Sequence, residues 1–366
     1  MRIGIEAQRI FRSKKHGMDI YALELIRQLQ RTELENEYFI FVKSGPDHCL
    51  QETPNFKIIE VKGATYADWE QIWLPLSVNK HKIDLLHCTS NTAPILTRTT
   101  LIVTLHDIIY LNKSFSGGSL YQRLGHYYRK WIVPSVFKIA KKVFTVSEFE
   151  KKHIIEKLGD EHKVQSIYNG VGKKFRPYSA VEQDAIKSKL CLPDDYFFFL
   201  GNTAPKKNMI GFLKAYKLYT EEIEIPLPVV IAETSKEDLQ KMLSEINGLS
   251  LMKYIHLTGY VQHSELPEIY ASAHCFVYPS LRESFGIPII EAMACGTYVI
   301  TSNTSSMPEV ASDAAILVDP YNVVEIKLAM ITSQFSLEKE EVIQAGLNRA
   351  AKFSWENTAA QVRTNY

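Results

Sequence analysis

Cys275-Phe276-Val277-Tyr278-Pro279-Ser280 is an apolar run closed by a proline. After Leu281 and Arg282 comes Glu283-Ser284-Phe285-Gly286-Ile287-Pro288-Ile289-Ile290-Glu291. The first stretch reads as a buried strand. The second reads as a tight glycine turn feeding a helix from Ile289 to Cys295, stopped by Gly296. Strand, turn and helix in that order form the unit of an α/β sheet. Two carboxylates, Glu283 and Glu291, then flank a glycine turn at the carboxyl end of a strand, where open α/β sheets bind ligands. The Phe285, Gly286 and Ile287 amides lie at a helix N-terminus, which favours an anion. Pro288 suits the first helical position, because it has no N–H to leave unpaired. Amides for a phosphate, with carboxylates for hydroxyls on either side, match the groups of a nucleotide-sugar. Taken alone, the segment also fits an ordinary turn with two solvated acids.

Outward from this segment, strand and helix patterns alternate along the whole chain, as in parallel α/β sheets. Short apolar runs predict strands at Ile3–Ala7, Tyr38–Val42, Lys57–Val61, Leu85–Cys88, Leu101–Leu105, Val143–Val146 and Val164–Tyr168. A second set falls at Phe197–Leu200, Val229–Ala232, Tyr254–Leu257, Cys275–Tyr278, Tyr298–Thr301 and Ala315–Val318. Runs this apolar suit strands covered on both faces. Between Ile20 and Gln30 a helix is expected, with Asp19 as its N-cap. The charged, proline-containing stretch Lys173 to Tyr178 marks a break between halves. The expected architecture is two doubly wound domains facing across a cleft, one over residues 1–172 and one over 173–354. Gly4 stands alone, with no G-x-G-x-x-G and no G-x-x-x-x-G-K-[ST] loop, which weighs against a nicotinamide oxidoreductase and a P-loop NTPase.

The 366 residues allow two full cores, and 46% hydrophobic with 23% charged content is that of a globular protein. No apolar run reaches about 18 residues, so no spanning helix is expected. The opening Met1-Arg2-Ile3-Gly4-Ile5-Glu6 reads as a strand and not a signal peptide. Five cysteines, widely spaced, read as reduced thiols, which places the chain in the cytoplasm. The net charge of +1 hides an asymmetry: 27 Lys and Arg against 18 Asp and Glu through residue 180, then 15 against 23. A basic half suits an anionic membrane face or a phosphate-bearing acceptor. Tyr127-Tyr128-Arg129-Lys130-Trp131 mixes aromatic and basic residues as interfacial helices do, and as ordinary half-buried helices also do. Nothing points to a nucleic-acid partner, and no histidine or acid cluster has metal-ligand spacing.

Further positions carry candidate chemistry. Gly201 to Asn208 follows the first strand of the second half, and Lys206 and Lys207 there can reach a diphosphate. His106 ends the strand Leu101–Leu105, where it can meet a sugar hydroxyl. Gly17 joins the first strand to the first helix, and a plain turn glycine is the competing reading. Ser147, with Glu150 three residues on, reads as a helix cap.

The Glu283–Glu291 spacing, with Ala292-Met293-Ala294-Cys295-Gly296 and then Ser305-Ser306-Met307-Pro308-Glu309-Val310, resembles the family 4 retaining glycosyltransferases of the GT-B fold. The resemblance extends over nearly the whole chain, and mannose-transferring bacterial members look most similar. It implies two Rossmann-like domains, with the last helix, 355–366, packing back on the first. It implies a nucleoside-diphosphate sugar donor bound by the second domain, with GDP-mannose the first candidate. Glu291 would take ribose hydroxyls and Glu283 sugar hydroxyls. Lys207, with the Phe285–Ile287 amides, would stabilise the leaving diphosphate. His106 would stand beside the transferred sugar, and Gly17 near the donor phosphates or the acceptor. The acceptor would be a saccharide or a lipid-linked sugar on the first domain, with a peripheral membrane contact. No cofactor and no obligatory metal are implied. Two departures stand out: Asn202 occupies the place of a second phosphate cation, and Met18 that of a second turn glycine. Rival readings are a UDP-sugar 2-epimerase of the same fold and an inert nucleotide-sugar-binding protein.

Overall fold

The structure, a computed structural model, describes residues 1–112, 120–201 and 203–366. Asn202 lies outside the described residues. The chain forms two compact units, Met1–Asn169 with Trp355–Tyr366, and Gly170–Ser354.

The first unit is built on a parallel seven-stranded sheet. Its strands are β1 (Arg2–Glu6), β2 (Glu37–Val42), β3 (Phe56–Glu60), β4 (Leu85–Cys88), β5 (Thr100–Thr104), β6 (Lys142–Thr145) and β7 (Val164–Ser166). Their order is β3-β2-β1-β4-β5-β6-β7. Residues such as Ile3, Ile5, Phe41, Leu86 and Val103 are wholly buried, as a sheet covered on both faces requires. Gly4 is a packing glycine: a Cβ there would lie 2.8 Å from Phe41 Cε2. The helix Gly17–Thr32 starts earlier than expected, with His16 at its N-cap. Asp19 is not the cap. It is the third helical residue, and its carboxylate reaches back to accept from the His16 N–H at 3.0 Å. The helix Trp355–Arg363 belongs to this unit. Trp355 packs against Tyr21, Thr358 donates to the Tyr168 carbonyl at 2.7 Å, and Tyr366 shares a 2.7 Å hydrogen bond with His87.

The second unit has a parallel six-stranded sheet in the order β10-β9-β8-β11-β12-β13. The strands are β8 (Phe197–Leu200), β9 (Val229–Ala232), β10 (Ile255–Gly259), β11 (Cys275–Tyr278), β12 (Tyr298–Ser302) and β13 (Ile316–Val318). Aromatic stacking ties sheet to helix, with Phe199 and Phe212 centroids 4.5 Å apart. In both units the third, second and first strands run outward one way and the fourth, fifth and sixth the other. Both sheets are therefore doubly wound, and each has a switch point where ligands collect. That point lies between β1 and β4 in the first unit and between β8 and β11 in the second. Among the described residues, no helix is long and apolar enough to cross a membrane.

Candidate functional site

The loops after β8 and β11 meet at the switch point of the second unit. Leu281 N–H donates to the Lys206 carbonyl at 2.7 Å, which ties one loop to the other. Asn208, in the left-handed region at φ +57°, donates to the Pro279 and Pro320 carbonyls at 3.0 and 2.7 Å. Lys206 and Lys207 are thereby aimed at Glu283. Lys207 Nζ lies 2.9 Å from Glu283 Oε1, and Lys206 Nζ lies 3.6 Å from Oε2. Tyr278, the last residue of β11, donates its hydroxyl to Glu283 Oε1 at 2.8 Å and accepts from Lys207 at 2.5 Å. Burial, the largest influence, raises the Glu283 carboxyl, but Lys207 and Lys206 outweigh it and hold it below its ordinary value. Burial and then Glu283 push the Tyr278 phenol far up, so it keeps its proton.

The turn that carries Glu283 is clamped by hydroxyls from β12 and the loop beyond it. Thr301, Ser302 and Thr304 donate to the carbonyls of Tyr278, Ser280 and Leu281 at 3.0, 2.6 and 3.3 Å. Ser305 Oγ accepts from Glu283 N–H at 3.1 Å, and Ser306 reaches the Glu283 and Phe285 carbonyls, both at 2.9 Å. Polar backbone in a half-buried turn is thus paired without a sheet partner. The turn ends at Gly286, at φ +99°, and the helix Ile287–Ala294 begins there, two residues before the expected start. A Cβ at Gly286 would also meet Ile289 Cδ1 at 3.0 Å. Gly286→Ala is therefore expected to cost about 1–3 kcal/mol of stability through backbone strain. Urea denaturation checks this, and an unchanged midpoint would contradict the account of the turn.

Glu291 lies on that helix and is 3% exposed. His263 Nε2–H donates to its Oε1 at 2.7 Å, and the His263 ring leans on Phe175 at 5.3 Å. Sequence reasoning missed both Tyr278 and His263. Tyr278 left one signal, a hydroxyl ending an otherwise apolar strand; His263, in a polar loop, left none.

The first unit gathers a second polar group at the ends of β1, β4 and β5. His106 is 7% exposed. Its backbone N–H donates to Asn91 Oδ1 at 2.5 Å, and Nε2 carries a proton donated to the Thr89 carbonyl at 2.8 Å. Burial drives its pKa down to about 4, so the ring is neutral, with Nδ1 as the acceptor. Asp19, at the start of the first helix, pairs with Arg9 Nε at 2.9 Å. Gly17 opens the same helix, but a Cβ there would touch nothing within 4 Å, so no close approach requires the glycine.

Glu70 sits in a wide π-type turn, Trp69–Trp73, and is 1% exposed. Such turns concentrate at functional sites. Thr92 and Tyr66 donate to its Oε1 at 2.5 and 3.1 Å, and Tyr128 to its Oε2 at 2.5 Å. Burial dominates and lifts the carboxyl to about 7, although the Thr92 and Tyr128 hydroxyls pull it down. A carboxyl whose folded pKa exceeds the ordinary 4.5 binds its proton more tightly when folded. Its stabilisation is complete below pH 4.5 and is lost as pH rises through about 7, about 3 kcal/mol in all. The stability difference between wild type and Glu70→Gln should therefore shift by that order between pH 4.5 and 8. A difference that stays constant with pH would contradict it. The one sequence signal for Glu70 was an acid between two tryptophans.

On the helix Leu120–Ile139 the aromatic–basic cluster divides. Tyr128 turns inward to Glu70, and Arg129 lies over the Tyr110 ring at 5.7 Å. Leu124, Tyr127, Lys130 and Trp131 are exposed. Among the described residues, no group of histidines, cysteines or acids is arranged to hold a metal ion.

Residues 16–174 match the profile of Glycosyltransferase Family 4, and residues 182–341 that of Glycosyl transferases group 1. O-antigen chain mannosyltransferase B of Escherichia coli is 33% identical over 62% of this chain and 60% of its own length. O-antigen chain mannosyltransferase RfbU of Salmonella typhimurium is 32% identical over 70% and 65%. The chain thus spans less than two thirds of these relatives. Among solved structures, a sucrose-phosphate synthase from Thermosynechococcus elongatus superposes with TM-score 0.77 at 17% identity, covering 100% of this chain and 98% of that one. HepE of Anabaena, in complex with UDP and glucose, gives TM-score 0.76 at 16% identity, covering 99% and 98%. Two doubly wound sheets and these superpositions make the fold GT-B. With both profiles matched in sequence, one in each half, the chain belongs to the family 4, group 1 glycosyltransferases.

Proposed function

We propose that the chain is a retaining glycosyltransferase that moves a sugar from a nucleoside-diphosphate sugar to a saccharide or lipid-linked acceptor. The observation that carries this reading is the cluster of Lys206, Lys207 and Glu283 at the β8/β11 switch point, with Glu291 on the helix that follows. In this reading Glu291 accepts hydrogen bonds from the ribose and Glu283 from the sugar. Lys207, Lys206 and the Phe285–Ile287 helix start supply positive charge to the departing diphosphate. They supply what a divalent ion otherwise would, so activity is expected to survive EDTA. Glu283 is already bound by a lysine and a tyrosine, which suits an orienting role better than that of a nucleophile. This supports attack from the face the diphosphate leaves, with retention.

The mannosyltransferase relatives favour GDP-mannose as donor. His106, held neutral with Nδ1 as an acceptor, suits a sugar hydroxyl in the first unit. Incubation with a panel of nucleotide-sugars, with and without acceptor, tests the reading. Transfer needs both. A 2-epimerised sugar from the donor alone would favour the epimerase, and binding without turnover an inert protein.

The acceptor side is proposed to lie at the cytoplasmic face of a membrane. The basic first half supports this, as do the exposed Leu124, Tyr127 and Trp131 beside Lys130. Each basic residue near an anionic surface contributes roughly 1 kcal/mol, screened within about 8 Å. Sedimentation with phosphatidylserine vesicles should be strong at low salt and fade at high salt. No sedimentation at low salt would count for a soluble acceptor.

A further inference from the structure

Tyr278 has its ring buried at 1% exposure and its hydroxyl in the middle of the lysine–glutamate pair. Three atoms close a triangle: Lys207 Nζ to Tyr278 Oη at 2.5 Å, Lys207 Nζ to Glu283 Oε1 at 2.9 Å, and Tyr278 Oη to Glu283 Oε1 at 2.8 Å. An ammonium only donates, so the phenol oxygen accepts from Lys207, and its single hydrogen goes to Glu283. Lys207 also rides the ring face, 4.7 Å from its centroid. A lysine held this way is already spent on Glu283. An arriving diphosphate must draw it off, and the flexible lysine stem allows that. Tyr278 cannot follow. It ends a central strand, its ring stacks on Phe276 at 5.3 Å, and its carbonyl is bound by Thr301.

We propose that Tyr278 is a positioning residue of the donor site: its hydroxyl keeps Glu283 Oε1 oriented toward the sugar when Lys207 turns to the diphosphate. This rests on the second unit binding the donor. With Lys207 gone from Glu283, the remaining partners are Lys206, half exposed and 3.6 Å from the other oxygen, and the Tyr278 hydroxyl on Oε1. The rigid partner then sets the carboxylate's direction. A hydrogen bond to a charged group is worth about a ten- to hundredfold change in an equilibrium or rate.

Tyr278→Phe tests this, because it keeps the buried ring and its stacking and removes only the oxygen. Affinity for the nucleoside diphosphate without sugar should stay within about twofold, since that ligand does not use Glu283. Turnover of the nucleotide-sugar should fall about ten- to hundredfold. The acid limb of kcat/KM should move to higher pH, because Glu283 loses a donor that favours its charged form. The charged groups around it, Lys206, Lys207 and, behind Tyr278, Glu291, are unchanged in this variant. Turnover within twofold of wild type, while Lys207→Ala and Glu283→Gln collapse it, would overturn the proposal and leave the donor-site reading intact. Equal loss of diphosphate affinity and turnover would overturn it as well, since that marks a general packing role. If Lys207→Ala and Glu283→Gln themselves leave donor binding and turnover unchanged, the donor-site reading falls and takes the proposal with it.

Discussion

Lys207→Ala is expected to lower kcat by about two to three orders of magnitude while weakening donor binding far less. A preorganised donor aimed at developing charge is worth that much in comparable sites. The asymmetry follows from the free site. Lys207 already neutralises Glu283 at 2.9 Å, so binding a ground-state diphosphate only exchanges one anion for another. Charge that builds as the sugar bond breaks is new, and only then does the ammonium gain. One further effect enters. Removing Lys207 leaves a carboxylate that is 8% exposed with Lys206 at 3.6 Å and the Tyr278 hydroxyl as its partners, and losing the nearer cation of a buried pair costs stability. Urea denaturation of Lys207→Ala reads this second effect separately, as lost stability, while kcat reads the lost contact to developing charge. Steady-state kinetics beside direct donor titration checks the split. Equal losses in affinity and turnover would reduce Lys207 to a ground-state contact.

Glu291→Ala is expected to weaken nucleoside-diphosphate binding by about 1.5–3 kcal/mol, roughly tenfold to a hundredfold. The carboxylate is 3% exposed, and one oxygen is already paired with His263 at 2.7 Å. The other oxygen is positioned, not searching, so little orientation entropy is lost when it meets a ribose hydroxyl. His263→Ala should give a smaller loss, because it frees the carboxylate to turn without removing it. Calorimetry on both variants measures this. Unchanged affinity in Glu291→Ala would remove the ribose assignment.

The fold was legible because parallel strands covered on both faces leave short apolar runs, and each expected run became a strand. Strand order was not legible, since apolar runs do not record their neighbours. Glu283 and Lys207 could be placed in the loops after β11 and β8, and Glu291 on the helix that follows, from the letters alone. Their pairing could not: Lys207 and Glu283 are 76 residues apart in sequence. Asp19 was misplaced because a carboxylate before a helix and one reaching back from its third residue look alike in a row of letters. The hydroxyl run Thr301 to Ser306 was visible, but the five carbonyls it binds became evident only once the turn after β11 lay beside it. Glu70 escaped notice because its donors, Tyr66, Thr92 and Tyr128, come from three separate segments.

The most direct test is a calorimetric titration of the unmodified chain with GDP, UDP and ADP in turn. A donor site built on Lys207, Glu283 and Glu291 predicts saturable one-to-one binding to at least one of them, insensitive to EDTA and weakened about tenfold or more by Glu291→Ala. No saturable binding to any of the three, or binding that Glu291→Ala and Lys207→Ala both leave untouched, would contradict it.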